Sequence, residues 1–128
     1  MGTTSTILVV DDELAVLTIL QEMLGEEQYR FLPALNLNDA RDLWKEQADD
    51  IKLVITDLRL PDGLGSDLAT EVLNESPNTK VILITGLEPD CVSIPAEFSS
   101  RFFVFQKTTF VRDLEQKVND CLRDLQPS

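Results

Sequence analysis

Histidine is absent from the 128 residues, and cysteine occurs only at Cys91 and Cys121. Without histidine, Ser-His and Cys-His catalysis are excluded, and two unpatterned cysteines complete neither a zinc site nor a disulfide framework. No apolar run approaches the roughly 18 residues of a membrane span, and the start of the chain lacks the features of a signal peptide. We therefore expect a cytoplasmic protein that does not enter a membrane, with chemistry that depends on carboxylates and metals.

Positive charge is also scarce, because 11 basic residues face 23 acidic ones and the formal net charge is −12. This balance opposes direct binding to nucleic acid and to anionic membrane surfaces, and it favours a cation or a basic protein patch as partner. The hydrophobic fraction of 43% is enough for a packed core. At this length we expect residues 1–128 to form a single domain.

Short apolar runs alternate with stretches of helical periodicity, which is typical of βα units. The fourth predicted helix, between residues 87 and 100, should be short or irregular because Pro89 and Pro95 interrupt it. Parallel strands need crossover connections, so the pattern predicts an α/β fold with a doubly wound, five-stranded parallel sheet. The predicted strands span residues 7–10, 29–35, 51–56, 81–84 and 102–106.

The helix boundaries follow from capping and breaking residues. The first helix should run from Glu13 to Gly25, and Asn38 and Ser66 are suited to cap the second and third helices. Pro77 should end the third helix. A final helix is predicted from an apolar stripe of Val111, Leu114, Val118, Cys121, Leu122 and Leu125.

Polar residues follow four of the apolar strands, where the carboxyl ends of parallel strands meet and ligands bind. Three carboxylates at one edge would repel one another unless a cation neutralised them, and all-oxygen ligands favour magnesium. A nearby lysine and threonine would suit the oxygens of a transferring phosphoryl group, with a carboxylate as nucleophile. The residues at this edge are Asp11, Asp12, Asp57, Thr85 and Lys107.

Each of these residues has an ordinary structural interpretation when it is taken alone. An aspartate pair before a helix is usually a cap, Asp57 could form a turn, and Thr85 could simply end a strand. A single lysine such as Lys107 is usually a solvated surface charge. All five in order, each at a strand end, favour the functional interpretation.

The segments ILVVDDE, LVITDLRLPDG, VILITG and FVFQK resemble the signature segments of response-regulator receiver domains, and the resemblance covers nearly the whole chain. It implies a flavodoxin-like fold with strand order 2-1-3-4-5. It also implies that Asp57 is the phosphoacceptor, that Asp12 binds Mg²⁺ directly and that Asp11 binds it through water. The main-chain carbonyl of Arg59 would complete the metal site.

The same resemblance implies that Lys107 contacts the phosphoryl oxygens and that Thr85 reorients towards them, which switches the domain between two conformations. A phosphohistidine on a histidine kinase or histidine phosphotransfer protein would be the donor, and an output domain or a downstream protein would receive the signal. The chain would catalyse its own phosphorylation and dephosphorylation without being an enzyme of free metabolites.

The chain departs from the family at two positions near the predicted site. Thr108 follows Lys107 where most receivers have a proline, and Val104 stands where an aromatic residue usually moves with the threonine. Together with the interrupted fourth helix, these departures motivate an alternative, a pseudo-receiver that docks proteins without being phosphorylated.

Two other classes of protein, a phosphohydrolase and an electron carrier, are alternatives to the receiver hypothesis. A haloacid dehalogenase-like phosphohydrolase needs a second acid two residues after its nucleophile, where this chain has Arg59. A flavodoxin-like electron carrier needs a phosphate loop rich in Ser, Thr and Gly after the first strand, and DDELAV at that place would repel the flavin phosphate.

Overall fold

The computed structural model describes residues 5–24, 29–86, 95–106, 116, 118 and 120. Its centre is a five-stranded parallel sheet with the order β2-β1-β3-β6-β7. A separate antiparallel ribbon of two-residue strands, β4 and β5, lies between β3 and the third helix. The strands are β1 Ser5–Val10, β2 Tyr29–Ala34, β3 Ile51–Asp57, β4 Arg59–Leu60, β5 Gly63–Leu64, β6 Lys80–Thr85 and β7 Phe102–Gln106.

The predicted fold class and strand order are confirmed. When the small ribbon is set aside, β6 and β7 are the fourth and fifth strands of the main sheet, and the observed order equals 2-1-3-4-5. The helices are α1 Leu14–Leu24, α2 Leu37–Gln47 and α3 Gly65–Glu75, and Ala96–Phe98 forms one turn of 3₁₀ helix. Within the described ranges, no helix has both the length and the apolar character needed to cross a bilayer.

Both faces of the sheet are buried, as expected for a parallel sheet covered by crossover helices. On one face, Leu8 and Val10 of β1 pack with residues of α2 and α3, including Trp44 and Leu68. On the other face, the alternate residues of β1 pack with α1 and with Val118, which is helical and fully buried. The helices therefore hold the central strands from both sides and fix where their carboxyl ends emerge.

Both predicted capping residues were wrong, because each lies two positions after the observed cap. The cap of α2 is Asn36, whose side-chain oxygen accepts the N–H of Asp39 at 2.8 Å, whereas Asn38 lies inside the helix. The third helix starts at Gly65, so Ser66 is already in its first turn, and among the described contacts its N-cap position, Leu64, makes no side-chain bond. At the start of α2, the distant Asp62 accepts the N–H groups of Leu37 and Asn38, and at the start of α3 the nearby carbonyl of Leu58 accepts the N–H of Gly65.

Two predicted helices lie largely outside the described residues. The fourth helix was predicted between residues 87 and 100; residues 87–94, with Pro89, lie outside the described residues, and Pro95 is the N-cap of a single 3₁₀ turn, Ala96–Phe98. Of the final helix, Gln116, Val118 and Asp120 are described, and all three are helical. The remaining predicted stripe residues, Val111, Leu114, Cys121, Leu122 and Leu125, lie outside the described residues.

Candidate functional site

Asp57 is the last residue of β3, which lies in the middle of the sheet between β1 and β6. Four of the six strand residues before it are buried aliphatic side chains, two on each face of the sheet, so a shift of β3 would disrupt the core on both faces. Asp57 is itself only 5% exposed. A carboxylate at this position is presented at the carboxyl edge of the sheet, where parallel α/β sheets bind their ligands.

Asp11 and Asp12 follow β1 directly and begin the turn into α1. The backbone N–H of Asp11 donates to the carbonyl of Ala34 at 3.0 Å, which continues the β1–β2 ladder by one residue. One carboxylate oxygen of Asp11 accepts the N–H of Glu13 at 2.9 Å. Asp11 is buried, at 3% exposure, and Asp12 is exposed. The turn therefore fixes Asp11 and leaves Asp12 facing solvent.

The carboxylates of Asp11, Asp12 and Asp57 form one cluster, in which ligand oxygens lie within 4.8 Å of one another. Two unit charges at this separation repel by roughly 3 kcal/mol at an effective dielectric constant of about 20. Asp11 and Asp57 are buried at the ends of adjacent strands and stay close together, whereas Asp12 is exposed and water screens part of its repulsion. A hard divalent cation with oxygen ligands fits this donor set, and the predicted acidic cluster is confirmed.

The cluster opens into a cleft of about 460 Å³ at the same edge. Thr85, the last residue of β6, is only 1% exposed and lines this cleft together with Arg59. Glu13 also lines it and was missed by the sequence analysis, although it directly follows the two aspartates. The full lining consists of Asp12, Glu13, Asp57, Leu58, Arg59, Thr85 and Gly86.

The segment after Asp57 is tied to the sheet at its base. The N–H of Leu58 donates to the carbonyl of Ile84 at 2.9 Å, and the carbonyl of Leu58 accepts the N–H of Gly65 at 2.7 Å. Gly65 passes so close to Asp57 that a Cβ atom on it would lie 2.0 Å from the Asp57 carbonyl oxygen. Only glycine fits there, and the close approach holds the backbone of Asp57 between β6 and the start of α3.

The tip of the same segment is held by a different helix. Asp62 accepts the N–H of Leu37 at 2.8 Å and that of Asn38 at 3.0 Å, both at the start of α2. The N–H of Leu37 is the main reason why the pKa of the Asp62 carboxyl lies below its ordinary value of 3.8. Smaller lowering effects from Asn38 and from the charge of Arg41 add to it, against some desolvation. Asp62 is not among the site residues that the sequence predicts.

The remaining predicted site residue, Lys107, lies outside the described residues, as does Thr108. β7 ends at Gln106, one residue before the lysine, and pairs with β6 so that Gln106 is opposite Thr85. Val104, the other departure from the family pattern, is half-buried and packs against the core on the α2 and α3 side. The structure thus brings together Asp11, Asp12, Asp57, Thr85 and Arg59.

Comparisons with known proteins agree with this arrangement. The family model described as the response regulator receiver domain matches residues 7–119. The response regulator protein PilR of Pseudomonas aeruginosa is 33% identical over 116 residues, which are 91% of this chain but 26% of PilR. The chain thus spans about a quarter of the length of that relative.

Solved structures show the same likeness across whole domains. A response regulator receiver domain protein from Clostridium thermocellum has a TM-score of 0.81 and 27% identity, with 94% of this chain and 95% of that chain covered. The beryllofluoride-activated NtrC4 receiver domain dimer has a TM-score of 0.75 and 25% identity, with 94% and 98% covered. The chain belongs to the response regulator receiver domain family.

Proposed function

We propose that this chain is the phosphoacceptor of a two-component phosphorelay. It takes a phosphoryl group from a phosphohistidine, on a histidine kinase or a histidine phosphotransfer protein, onto the carboxylate of Asp57. The observation that carries the proposal is the convergence of three carboxylates within 4.8 Å at the carboxyl edge of the sheet. A buried threonine, Thr85, lies in the same cleft.

The carboxylate cluster suits Mg²⁺. Asp12 and Asp57 would bind the ion directly, Asp11 would bind it through water, and the main-chain carbonyl of Arg59 would add a further oxygen. The bound ion would neutralise the cluster and allow an anionic donor to approach a nucleophile that is itself anionic. One oxygen of Asp11 already accepts the N–H of Glu13, which agrees with a role that is one water removed from the ion.

In the transfer step, a carboxylate oxygen of Asp57 attacks the phosphorus atom of the phosphoimidazole. The new O–P bond forms as the P–N bond breaks, and the electron pair of that bond returns to the imidazole of the donor. The chain has no histidine, so the donor must come from another domain or protein. The Thr85 hydroxyl and the Lys107 ammonium would bind the oxygens of the transferred group and stabilise their charge.

Phosphorylation would then act as a switch. Thr85 ends β6 next to β7, so a movement of its side chain towards a phosphoryl group would be felt at the adjacent edge strand. The beryllofluoride-activated form of the NtrC4 receiver, a relative of 25% identity, supports a response of this kind. Because Val104 replaces the usual aromatic residue, the change at β7 should not involve a rotating ring.

Several further features belong to this proposal. The chain acts as one receiver domain in the cytoplasm. It does not bind nucleic acid or membranes directly. Another domain or a downstream protein receives the signal and produces the output. Its net charge of −12 supports the lack of direct nucleic-acid contact. It catalyses its own phosphorylation and the hydrolysis of the aspartyl phosphate, and it has no free metabolite as substrate.

Intact-mass measurement tests the proposal. The parent chain and an Asp57→Asn variant are incubated with acetyl phosphate, once with MgCl₂ and once with a chelator. We expect one added phosphoryl group on the parent with MgCl₂ and none in the other samples. No uptake by the parent, together with no Mg²⁺ binding in a titration, would refute the proposal and favour the pseudo-receiver.

A further inference from the structure

The ribbon formed by β4 and β5 connects the phosphoacceptor to a helix that contributes nothing to the cleft. Arg59, whose carbonyl is the proposed metal ligand, is the first residue of β4 and pairs with Leu64 of β5. Its neighbour Leu60 is buried in the core beside α2 and α3. The ribbon has only two residue pairs, so contacts outside its own ladder, including the burial of Leu60, must help to fix the position of Arg59.

The tip of the ribbon is anchored on the first turn of α2. The two carboxylate oxygens of Asp62 accept separate N–H groups, those of Leu37 and Asn38, at 2.8 and 3.0 Å. These N–H groups have no partner within the helix, and the positive end of the helix dipole attracts the carboxylate. The residue after Asp62, Gly63, has a φ of 149°, and a Cβ atom on it would lie 2.7 Å from the Leu37 side chain.

The geometry points to Asp62 as a positioning residue for the metal site, an inference that rests on the proposed function. The base of the segment is fixed by the Leu58–Ile84 and Gly65–Leu58 hydrogen bonds, and Asp62 fixes the tip. Arg59 lies between these anchors. When Asp62 bridges to α2, both ends of the segment that carries the Arg59 carbonyl are fixed relative to the sheet.

Asn36 provides a matched control on the same helix. Its side-chain oxygen accepts the N–H of Asp39 at 2.8 Å, so it caps the same turn of α2 from the residue directly before the helix. Asn36→Ala removes one cap bond and leaves the ribbon untouched. Asp62→Ala removes the cap bonds and also releases the ribbon. Both variants should lower the melting temperature by about 3 to 6 °C, because each removes a helix cap.

The test is a MgCl₂ titration of the unphosphorylated chain, followed by backbone amide chemical shifts, alongside the melting temperature of each variant. We expect Asp62→Ala to raise the Kd for Mg²⁺ about tenfold, the lower end of the effect of removing groups that orient metal ligands. Asp62→Asn keeps one acceptor oxygen and should show a smaller increase. Asn36→Ala should bind Mg²⁺ as the parent does.

The outcomes separate this inference from the function on which it rests. If the parent chain does not bind Mg²⁺, the proposed function fails. If the parent binds and Asp62→Ala binds equally well, the positioning role of Asp62 is wrong while the metal site stands. If Asn36→Ala weakens binding as much as Asp62→Ala, the effect comes from the stability of α2, which also overturns the inference.

Discussion

The central sheet has a carboxyl edge, where its strands end, and an amino edge, where they begin, and the polar residues at these two edges have different roles. At the carboxyl edge, Asp11, Asp12 and Asp57 bring like charges within 4.8 Å of one another. At the amino edge, Arg101 donates to the carbonyls of Ser76, Thr79 and Leu73 at 2.7 to 3.0 Å. The amino edge satisfies its polar groups internally, whereas the carboxyl edge concentrates a charge that needs an external cation.

Cavity size alone does not distinguish these edges. A cavity of about 490 Å³ lies near the amino edge, and the carboxyl-edge cleft measures about 460 Å³. In the amino-edge cavity, the carboxylate of Glu75 accepts the indole N–H of Trp44. Among the described residues, the group of acids that could hold a metal is found at the carboxyl edge. The convergence of like charges, and not the volume, identifies the site.

The largest expected effect on stability is at the amino edge. Arg101→Ala leaves three carbonyls without their charged donor, and its guanidinium also lies 5.6 Å from the ring centre of Phe98. We expect a loss of about 3 kcal/mol in the free energy of unfolding, measured by urea denaturation. Phosphoryl uptake at low temperature should match that of the parent. A large loss of uptake in the folded variant would show that the edges are not independent.

A smaller loss is expected for Trp44→Phe, which removes the donor to Glu75 and some buried volume. The cost should be about 1 to 2 kcal/mol in the same denaturation experiment. Glu75→Gln keeps an acceptor oxygen and serves as the control, with a smaller loss. If the two variants were equally destabilised, the charge of Glu75 rather than the buried indole would account for the effect.

The opposite sign is expected at the carboxyl edge. Asp12→Asn removes one of three neighbouring negative charges, so the metal-free chain should gain about 0.5 kcal/mol in stability while Mg²⁺ affinity falls at least tenfold. Asp42→Asn, an exposed acid outside the cluster, controls for the change in net charge and should leave both quantities nearly unchanged. A destabilised Asp12→Asn variant without metal would contradict the repulsion argument.

The smallest expected effect is the pH dependence that Asp62 contributes. Its pKa is lower in the folded chain than the ordinary value of 3.8, chiefly because it accepts the N–H of Leu37. Its stabilisation is therefore fully present above the unfolded pKa and is lost as the pH falls through the folded pKa. The stability difference between the parent and Asp62→Asn should be constant well above pH 3.8 and should shrink as the pH falls below that value. A difference that stays constant would exclude a contribution from this carboxylate.

The sequence was sufficient to predict the sheet and most of the site because the signal is local. The central strands β1, β3 and β6 each contain a buried apolar run, and the polar residues that follow, such as Asp11, Asp57 and Thr85, mark the carboxyl edge. Parallel topology then brings these positions together without any knowledge of side-chain contacts. The confirmed acidic cluster follows from this reasoning, whereas the confirmed strand order was implied by the resemblance to receiver domains.

The features that the sequence did not reveal depend on contacts between distant residues. Asp62 and Leu37 are 25 positions apart, and so are Arg101 and Ser76. No local pattern predicts such pairs. The prediction of Asn38 as the cap of α2 was wrong because Asn36, two residues earlier, makes the local cap bond, and Asp62 adds to the cap from a distance. The β4–β5 ribbon was missed because two-residue strands carry no periodicity.

The most direct test identifies which carboxylate carries the phosphoryl group. Asp11, Asp12 and Asp57 lie close together, and the intact mass of the chain does not show which of them is phosphorylated. The phosphorylated chain is reduced with borohydride, which converts an aspartyl phosphate into homoserine, and its peptides are sequenced by mass spectrometry. The account predicts homoserine at position 57 alone. Homoserine at position 11 or 12, or at none of the three, would contradict it.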